Sequence, residues 1–217
     1  MTMTTIITIV TALYLLIAIG LVTSGISNNN SFTETKEDDI KMDRIAKFSK
    51  VSFEQFKKDW IDVFRDRSIY TDDVIKEIYD SIKLPKRATQ GSGGYDIYIP
   101  DNIHIPLNTS RKIPTGIRCK MYNGYVLQIH PRSGQGFKYG IHLANTTGII
   151  DSDYYNSDNE GHIFVKLIND SLIAKPIDIN RGEAFCQGVF VPFGITIDDD
   201  ATAVRNGGLG STSRKEI

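Results

Sequence analysis

Three stretches of this 217-residue chain carry residue types that could hold an anion or move a proton. Pro131-Arg132-Ser133-Gly134-Gln135-Gly136 follows an apolar run and combines a cation, a hydroxyl and glycines that let backbone N–H groups approach an anion. Alone it reads equally well as a plain turn. Arg205-Asn206-Gly207-Gly208-Leu209-Gly210-Ser211-Thr212-Ser213 has the composition of a phosphate cradle, and also that of an ordinary glycine-rich tail. In Gly148-Ile149-Ile150-Asp151-Ser152-Asp153-Tyr154 an acid follows an apolar strand. A carboxylate held at a strand end can take a proton from water; the alternative is a turn-forming aspartate.

The elements that must carry these stretches are mostly strands. From Gly94 onward the apolar period is two, and Tyr95–Ile99, Tyr125–Ile129, His162–Ile168 and Gln187–Val191 read as short strands. Asp101-Asn102, Tyr122-Asn123-Gly124, Asn169-Asp170 and Arg181-Gly182 punctuate them. Short strands at near-regular spacing predict an all-β sandwich or barrel of about 110 to 120 residues. Upstream the period is helical. Ser52 and Gln55 fit a capping box, with Phe53, Phe56, Trp60, Ile61 and Phe64 on a stripe that predicts a helix to about Arg67. Thr71 with Asp72 and Asp73 opens a second helix, with Val74, Ile75, Ile78, Tyr79 and Ile82 as its stripe, and Pro85 ends it. The pair is expected to form a helical hairpin docked on the strands.

Nothing from Met1 to Thr33 is charged, and Ile6 to Val22 is almost continuously apolar. As a helix that run spans roughly 25 Å, enough to serve as one membrane anchor. A cleaved signal with Thr23-Ser24-Gly25 as its small residues, or a start at Met42, are the alternatives. Ser27 to Asp39 is polar and aperiodic, as a flexible tether would be. The expected organisation is therefore 1–41 apolar segment and linker, 42–83 helical hairpin, and 84–217 β domain with a glycine-rich arm. With 25 basic and 26 acidic side chains the formal charge is -1, so no overall field holds a nucleic-acid polymer and any phosphate chemistry must rest on a few placed cations. Cys119 and Cys186 are too few for a disulfide scaffold or a paired zinc site and read as buried small apolar side chains.

In order along the chain, Gly91-Ser92-Gly93-Gly94-Tyr95-Asp96, the Pro131 stretch, the Gly148 stretch, Gly182-Glu183-Ala184-Phe185-Cys186-Gln187 and the Arg205 tail stand as five motifs. Ile113-Pro114-Thr115-Gly116-Ile117 and Asn123-Gly124-Tyr125 precede the second. From about Leu84 to Ser213 the chain resembles the trimeric dUTPase family. The resemblance implies a mainly β, distorted jelly-roll or barrel subunit. It assembles as a homotrimer with active sites at subunit interfaces, the C-terminal arm closing over a neighbour's pocket. The implied activity is hydrolysis of dUTP to dUMP and pyrophosphate with Mg2+. Carried over, Asp151 is the general base for the attacking water and Tyr154 packs on the deoxyribose, leaving no room for a 2'-hydroxyl. Asn145, with Gly148 and Ile150 on its hairpin, presents amide and backbone groups to uracil. Arg132, Ser133, Gly134 and Gln187 bind the phosphates. Arg205 with Leu209, Gly210 and Ser211 closes the γ end, and Asp96 holds a water of the magnesium shell. A cytosolic nucleotide as substrate would place the apolar run as a tether on the inner side of a membrane.

Three departures from the family pattern stand out. Leu209 occupies the place of an aromatic that lies over the base, which predicts weaker binding or a looser lid. Ala184 stands where an arginine is common. Tyr155-Asn156-Ser157-Asp158-Asn159-Glu160 precede Gly161 where one residue is usual, and this insertion is expected to project into solvent or meet a partner. Two rival readings are a dCTP deaminase of the same fold, which would need its own glutamate and an Arg-Ser-Ser run, and a dUTPase-like trimer acting as a binding or regulatory protein.

Overall fold

The structure, a computed structural model, describes residues 42–65, 69–170 and 175–207. The chain divides at Asp43/Arg44, and the fold below is that of the second unit. The expected apolar helix at 6–22 and the linker lie outside the described residues. No helix among the described residues is long and apolar enough to cross a membrane.

The unit opens on a strand that the sequence reading does not anticipate. β1 (Ala46–Lys50) pairs antiparallel with β5 (Ile117–Met121), Phe48 opposite Cys119. Lys47, Ser49 and Lys50 leave Ala46 and Phe48 as its only apolar residues, too little alternation over five residues to stand out. The two expected helices follow. α1 (Phe53–Val63) starts where Ser52 accepts from the Gln55 N–H at 3.1 Å, and ends four residues before Arg67. α2 (Asp72–Ser81) starts where Thr71 accepts from the Val74 N–H at 3.4 Å. Phe56, Trp60, Ile75 and Ile78 are buried, whereas Ile61 and Val74 of the expected stripes are exposed.

The remaining strands are β2 (Gly94–Tyr98), β3 (Ile103–Ile105), β4 (Thr109–Pro114), β6 (Tyr125–Pro131), β7 (His142–Leu143), β8 (Gly148–Ile150), β9 (Phe164–Asn169), β10 (Ile177–Ile179) and β11 (Ala184–Pro192). A short helix, α3 (Ser133–Tyr139), and a 3-10 turn, Ser152–Asn156, interrupt them. Antiparallel pairing gives a four-stranded sheet β2-β11-β6-β8, a three-stranded sheet β4-β9-β7, and the pairs β1-β5 and β3-β10. The inward residues of all these strands join Phe56, Trp60, Ile75, Ile78 and Ile82 in one apolar core. The helices and the strands therefore share that core. Cys119 and Cys186 are free and buried in it, as expected, and burial pushes the Cys119 thiol up to about 12.

Candidate active site

Strand register gathers one group of the expected residues. Asp96 on β2 stands opposite Gln187 on β11, which stands opposite His130 on β6, one residue before Pro131 and two before Arg132. Arg132 closes on Asp96 with two contacts, Nε to Oδ1 at 3.0 Å and Nη2 to Oδ2 at 3.4 Å. Such a fork fixes the guanidinium plane as a single contact cannot. Its Nη1 donates to the Ala184 carbonyl at 3.3 Å, and Gln135 Nε2 donates to the same oxygen at 3.4 Å. Ala184, which lacks the arginine of the family pattern, thus supports the site through its backbone. Gln187 Nε2 donates to the Pro131 carbonyl at 3.1 Å, and its Oε1 lies 2.6 Å from where a Cβ on Gly94 would sit. A side chain at Gly94 would push the Gln187 amide from this place.

Arg132 to Gly136 is neither a turn nor a loose loop: Ser133 begins α3, and the Gln135 and Gly136 N–H groups both return to the Arg132 carbonyl at 3.0 Å. The first N–H groups of a helix have no intrahelical partner, which leaves those of Ser133 and Gly134 facing outward beside Arg132. An open depression of about 310 Å³ lies here, lined by Pro131, Arg132, Ser133, Gly136 and Phe137.

A second space follows the hairpin between β7 and β8. Thr146 takes a left-handed conformation (φ 61°), and its N–H reaches the Leu143 carbonyl at 3.0 Å. Asn145, exposed at the tip, and Gly148, Ile149 and Ile150 form one wall of a cavity of about 410 Å³; Ile129, Lys112 and Phe164 form much of the rest. That volume is in the range of small-molecule sites. A Cβ on Gly148 would lie 3.1 Å from that of Ile129, so glycine lets the hairpin lie close on β6.

Asp151 lies elsewhere. β8 runs antiparallel to β6 with Gly148 opposite Ile129 and Ile150 opposite Leu127, so the next residue, Asp151, leaves near Val126. Arg132 is six residues along β6 from that point, about 20 Å at strand rise. Asp151 instead meets the tail: Arg205 Nη2 lies 2.5 Å from Asp151 Oδ2, and Arg205 Nε lies 2.8 Å from Asp153 Oδ1. Arg205 is thus held on this chain's own acids. Tyr154 is almost wholly buried, its hydroxyl donating to the His162 carbonyl at 2.8 Å and accepting from Asn159 Nδ2 at 2.8 Å. Burial pushes the phenol pKa up. Leu209, Gly210 and Ser211 lie outside the described residues.

The insertion after Tyr154 does not project away. Ser157 is buried, Asn159 holds the Tyr154 hydroxyl, and the Glu160 carboxylate accepts from the Ser52 N–H at 2.8 Å and the Ser52 hydroxyl at 2.5 Å. Glu160 therefore takes the reciprocal place in the capping box that Gln55 would fill; Gln55 Nε2 donates to Asp59 Oδ2 at 2.8 Å instead. Sequence reasoning missed Asp59, Arg118 and His162, which complete this corner. Asp59 had a readable signal, an acid beside Phe56 and Trp60 on the apolar face of α1. The other two depend on pairings distant in sequence.

A sequence model described as dUTPase matches residues 80–213. The deoxyuridine 5'-triphosphate nucleotidohydrolase of Lactococcus lactis is 40% identical over 134 residues, covering 60% of this chain and 88% of that one. Its counterpart from Dictyoglomus turgidum is 36% identical over 148 residues, covering 64% and 96%. The crystal structure of dUTPase from Streptococcus mutans superposes with a TM-score of 0.51 at 32% identity, covering 70% of this chain and 98% of that one.

Proposed function

The chain belongs to the dUTPase family, and on that premise we propose that it hydrolyses dUTP to dUMP and pyrophosphate, with Asp151 activating the attacking water. The observation that carries this reading is the joint placement of the family's motifs on one scaffold: the Asp96–Arg132–Gln187 row at one end of β6, the hairpin cavity beside it, and Asp151 at the end of β8. Phosphoryl transfer depends mostly on positioning and charge neutralisation. In our reading Arg132, the first N–H groups of α3 at Ser133 and Gly134, and Gln187 bind phosphates. Asn145 with the backbone of Gly148 and Ile150 reads the uracil edge. A site whose polar groups pair only with uracil can reject cytosine by roughly 10⁴. Tyr154, its hydroxyl held inward, would pack against the deoxyribose.

While Arg205 holds Oδ2 of Asp151, only the other carboxylate oxygen is open to a water. A triphosphate of about four negative charges competes for that guanidinium, so its arrival would draw Arg205 and the tail that includes Leu209, Gly210 and Ser211 onto the phosphates and free the carboxylate.

The residues also fit a magnesium ion that arrives with the nucleotide. Among the described residues no three His, Cys, Asp or Glu side chains are placed to hold a metal. Magnesium commonly keeps its waters and is bound by one or two carboxylates plus substrate phosphates. Asp96, with both oxygens on Arg132, would take part through such a water. When bound, the ion would neutralise phosphate charge.

We further read the protein as a homotrimer with shared sites. What supports this is the separation of about 20 Å of backbone along β6 between Asp151 and Arg132, which puts the two motifs at opposite ends of that strand. Phe137, Ile149, Phe193, Ile195 and Val204 are exposed apolar side chains that a neighbouring subunit could cover. From sequence alone, Ile6–Val22 is read as a tether to the inner face of a membrane, which fractionation of the full chain with membranes tests.

The test of the activity is pyrophosphate release by the full chain from dUTP, dTTP, dCTP and UTP with magnesium. Release from dUTP alone is expected; ammonia from dCTP, or no turnover, would overturn the reading.

A further inference from the structure

Two successive residues between Asp151 and β9 sit in the left-handed region, Glu160 (φ 58°) and Gly161 (φ 71°). Glycine adopts it freely, while a glutamate there is strained and must be held by its surroundings. It is held from α1 and β5. Besides its two bonds to Ser52, the Glu160 carboxylate lies 3.7 Å from Arg118 Nη1. Arg118 Nη2 donates to the Tyr155 carbonyl at 2.6 Å, and its guanidinium stacks 3.7 Å from the Tyr155 ring centroid.

Two residues on, His162 is fully buried. Its Nε2 accepts from the Gly116 N–H at 2.8 Å, so that nitrogen carries a lone pair and the proton is assigned to Nδ1, which donates to Asp59 Oδ2 at 2.6 Å. The His162 carbonyl in turn accepts from the Tyr154 hydroxyl at 2.8 Å. The 3-10 turn that carries Tyr154 beside Asp151 is thus tied to α1 by two routes, Ser52–Glu160–Arg118–Tyr155 and Asp59–His162–Tyr154. α1 precedes the segment that matches the family, which begins at residue 80.

We propose that Asp59, Glu160 and His162 are positioning residues for sugar selection: through Tyr154 they fix the surface against which deoxyribose packs, so that α1 sets how well dUTP is told from UTP. This rests on the function proposed above. A tyrosine held through both the donor and the acceptor of its hydroxyl cannot recoil from an added 2'-hydroxyl. Released from one anchor, the ring can tilt and admit it.

The experiment is kcat/KM for dUTP and for UTP on the full chain, in wild type, Asp59→Ala and Asp59→Asn. The ratio of two substrates measured on one preparation does not depend on how much of it is folded, so a merely destabilised variant leaves the ratio unchanged. Asparagine keeps an oxygen for the His162 Nδ1–H, and alanine does not. The dUTP:UTP ratio is expected to fall about tenfold in Asp59→Ala, the equivalent of one lost hydrogen bond, and to stay within about twofold of wild type in Asp59→Asn. If Asp59→Ala does not fold, Glu160→Gln at the partly exposed rim is expected to lower the ratio about threefold. An unchanged ratio in the folded variants, or an equal fall in Asp59→Asn and Asp59→Ala, overturns the inference while dUTP turnover stands. A wild-type chain that does not turn over dUTP overturns the proposed function, and this inference with it.

Discussion

A buried imidazole that accepts from a backbone N–H has no place for a second proton, and His162 is such a group. Burial lowers its pKa below the ordinary histidine range, and the pull of Asp59 in the other direction does not overcome it. The charged groups that face it are Asp59 from α1, Lys112 from β4 and Glu160 from the segment before it. Above about pH 7 the residue is neutral in both folded and unfolded chains and stability is unaffected. As pH falls through about 6.5, the unfolded chain takes up a proton that the folded one refuses, so stability drops until the folded value is passed. Asp59 does not confuse this window. Burial pushes its carboxyl up, but the bonds from His162 and Gln55 outweigh that and leave it below the usual range, so its contribution is lost only in stronger acid. The urea midpoint of wild type is therefore expected to be lower at pH 5.5 than at 7.5, and the drop to shrink in His162→Gln. A midpoint that is equal or higher at 5.5, or a drop as large in the variant, contradicts the buried neutral histidine.

At the scale of elements, the sharp return of the insertion depends on Gly161. A Cβ there would lie 2.7 Å from the Tyr154 carbonyl oxygen and 2.7 Å from the Tyr155 Cα, both backbone, at a φ of 71° that alanine resists. Gly161→Ala is expected to lower stability by about 2 kcal/mol or more, read as a fall in thermal midpoint of several degrees. A midpoint within about one degree of wild type would mean the turn rearranges without cost. This corner also marks where the sequence stops being readable. Ser52 and Thr71 announced both helices because a cap is a local device, its acceptor three residues from its donor. β1 could not be announced, since Ala46–Lys50 is a strand only through β5, some seventy residues away. The insertion was legible as six extra polar residues, but its destination depends on Ser52 and Arg118, which no local pattern connects to Glu160. α3 was hidden by glycines at 134 and 136, which read more naturally as a turn.

For the whole molecule, the motifs were legible as a set while their division between two ends of β6 was not. Asp96, Arg132 and Gln187 meet because of a register that the strand pattern does not state, and the same register carries Asp151 away from them. This separation yields a prediction for the assembly. If each site takes Asp151 from one subunit and Arg132 from another, Asp151→Asn and Arg132→Ala chains that are each inactive should regain activity when unfolded together and reassembled. An equal mixture is expected to recover about a quarter of wild-type activity, because that is the chance that a given site draws both intact residues. No recovery, with mixed trimers formed, would place the whole site in one chain. Pyrophosphate release from dUTP by Asp151→Asn beside wild type, both at saturating nucleotide and magnesium, tests whether Asp151 is the base. A loss of about 10² to 10⁴ in kcat with dUTP binding retained is the predicted result, and a kcat within a few-fold of wild type would contradict Asp151 as the base.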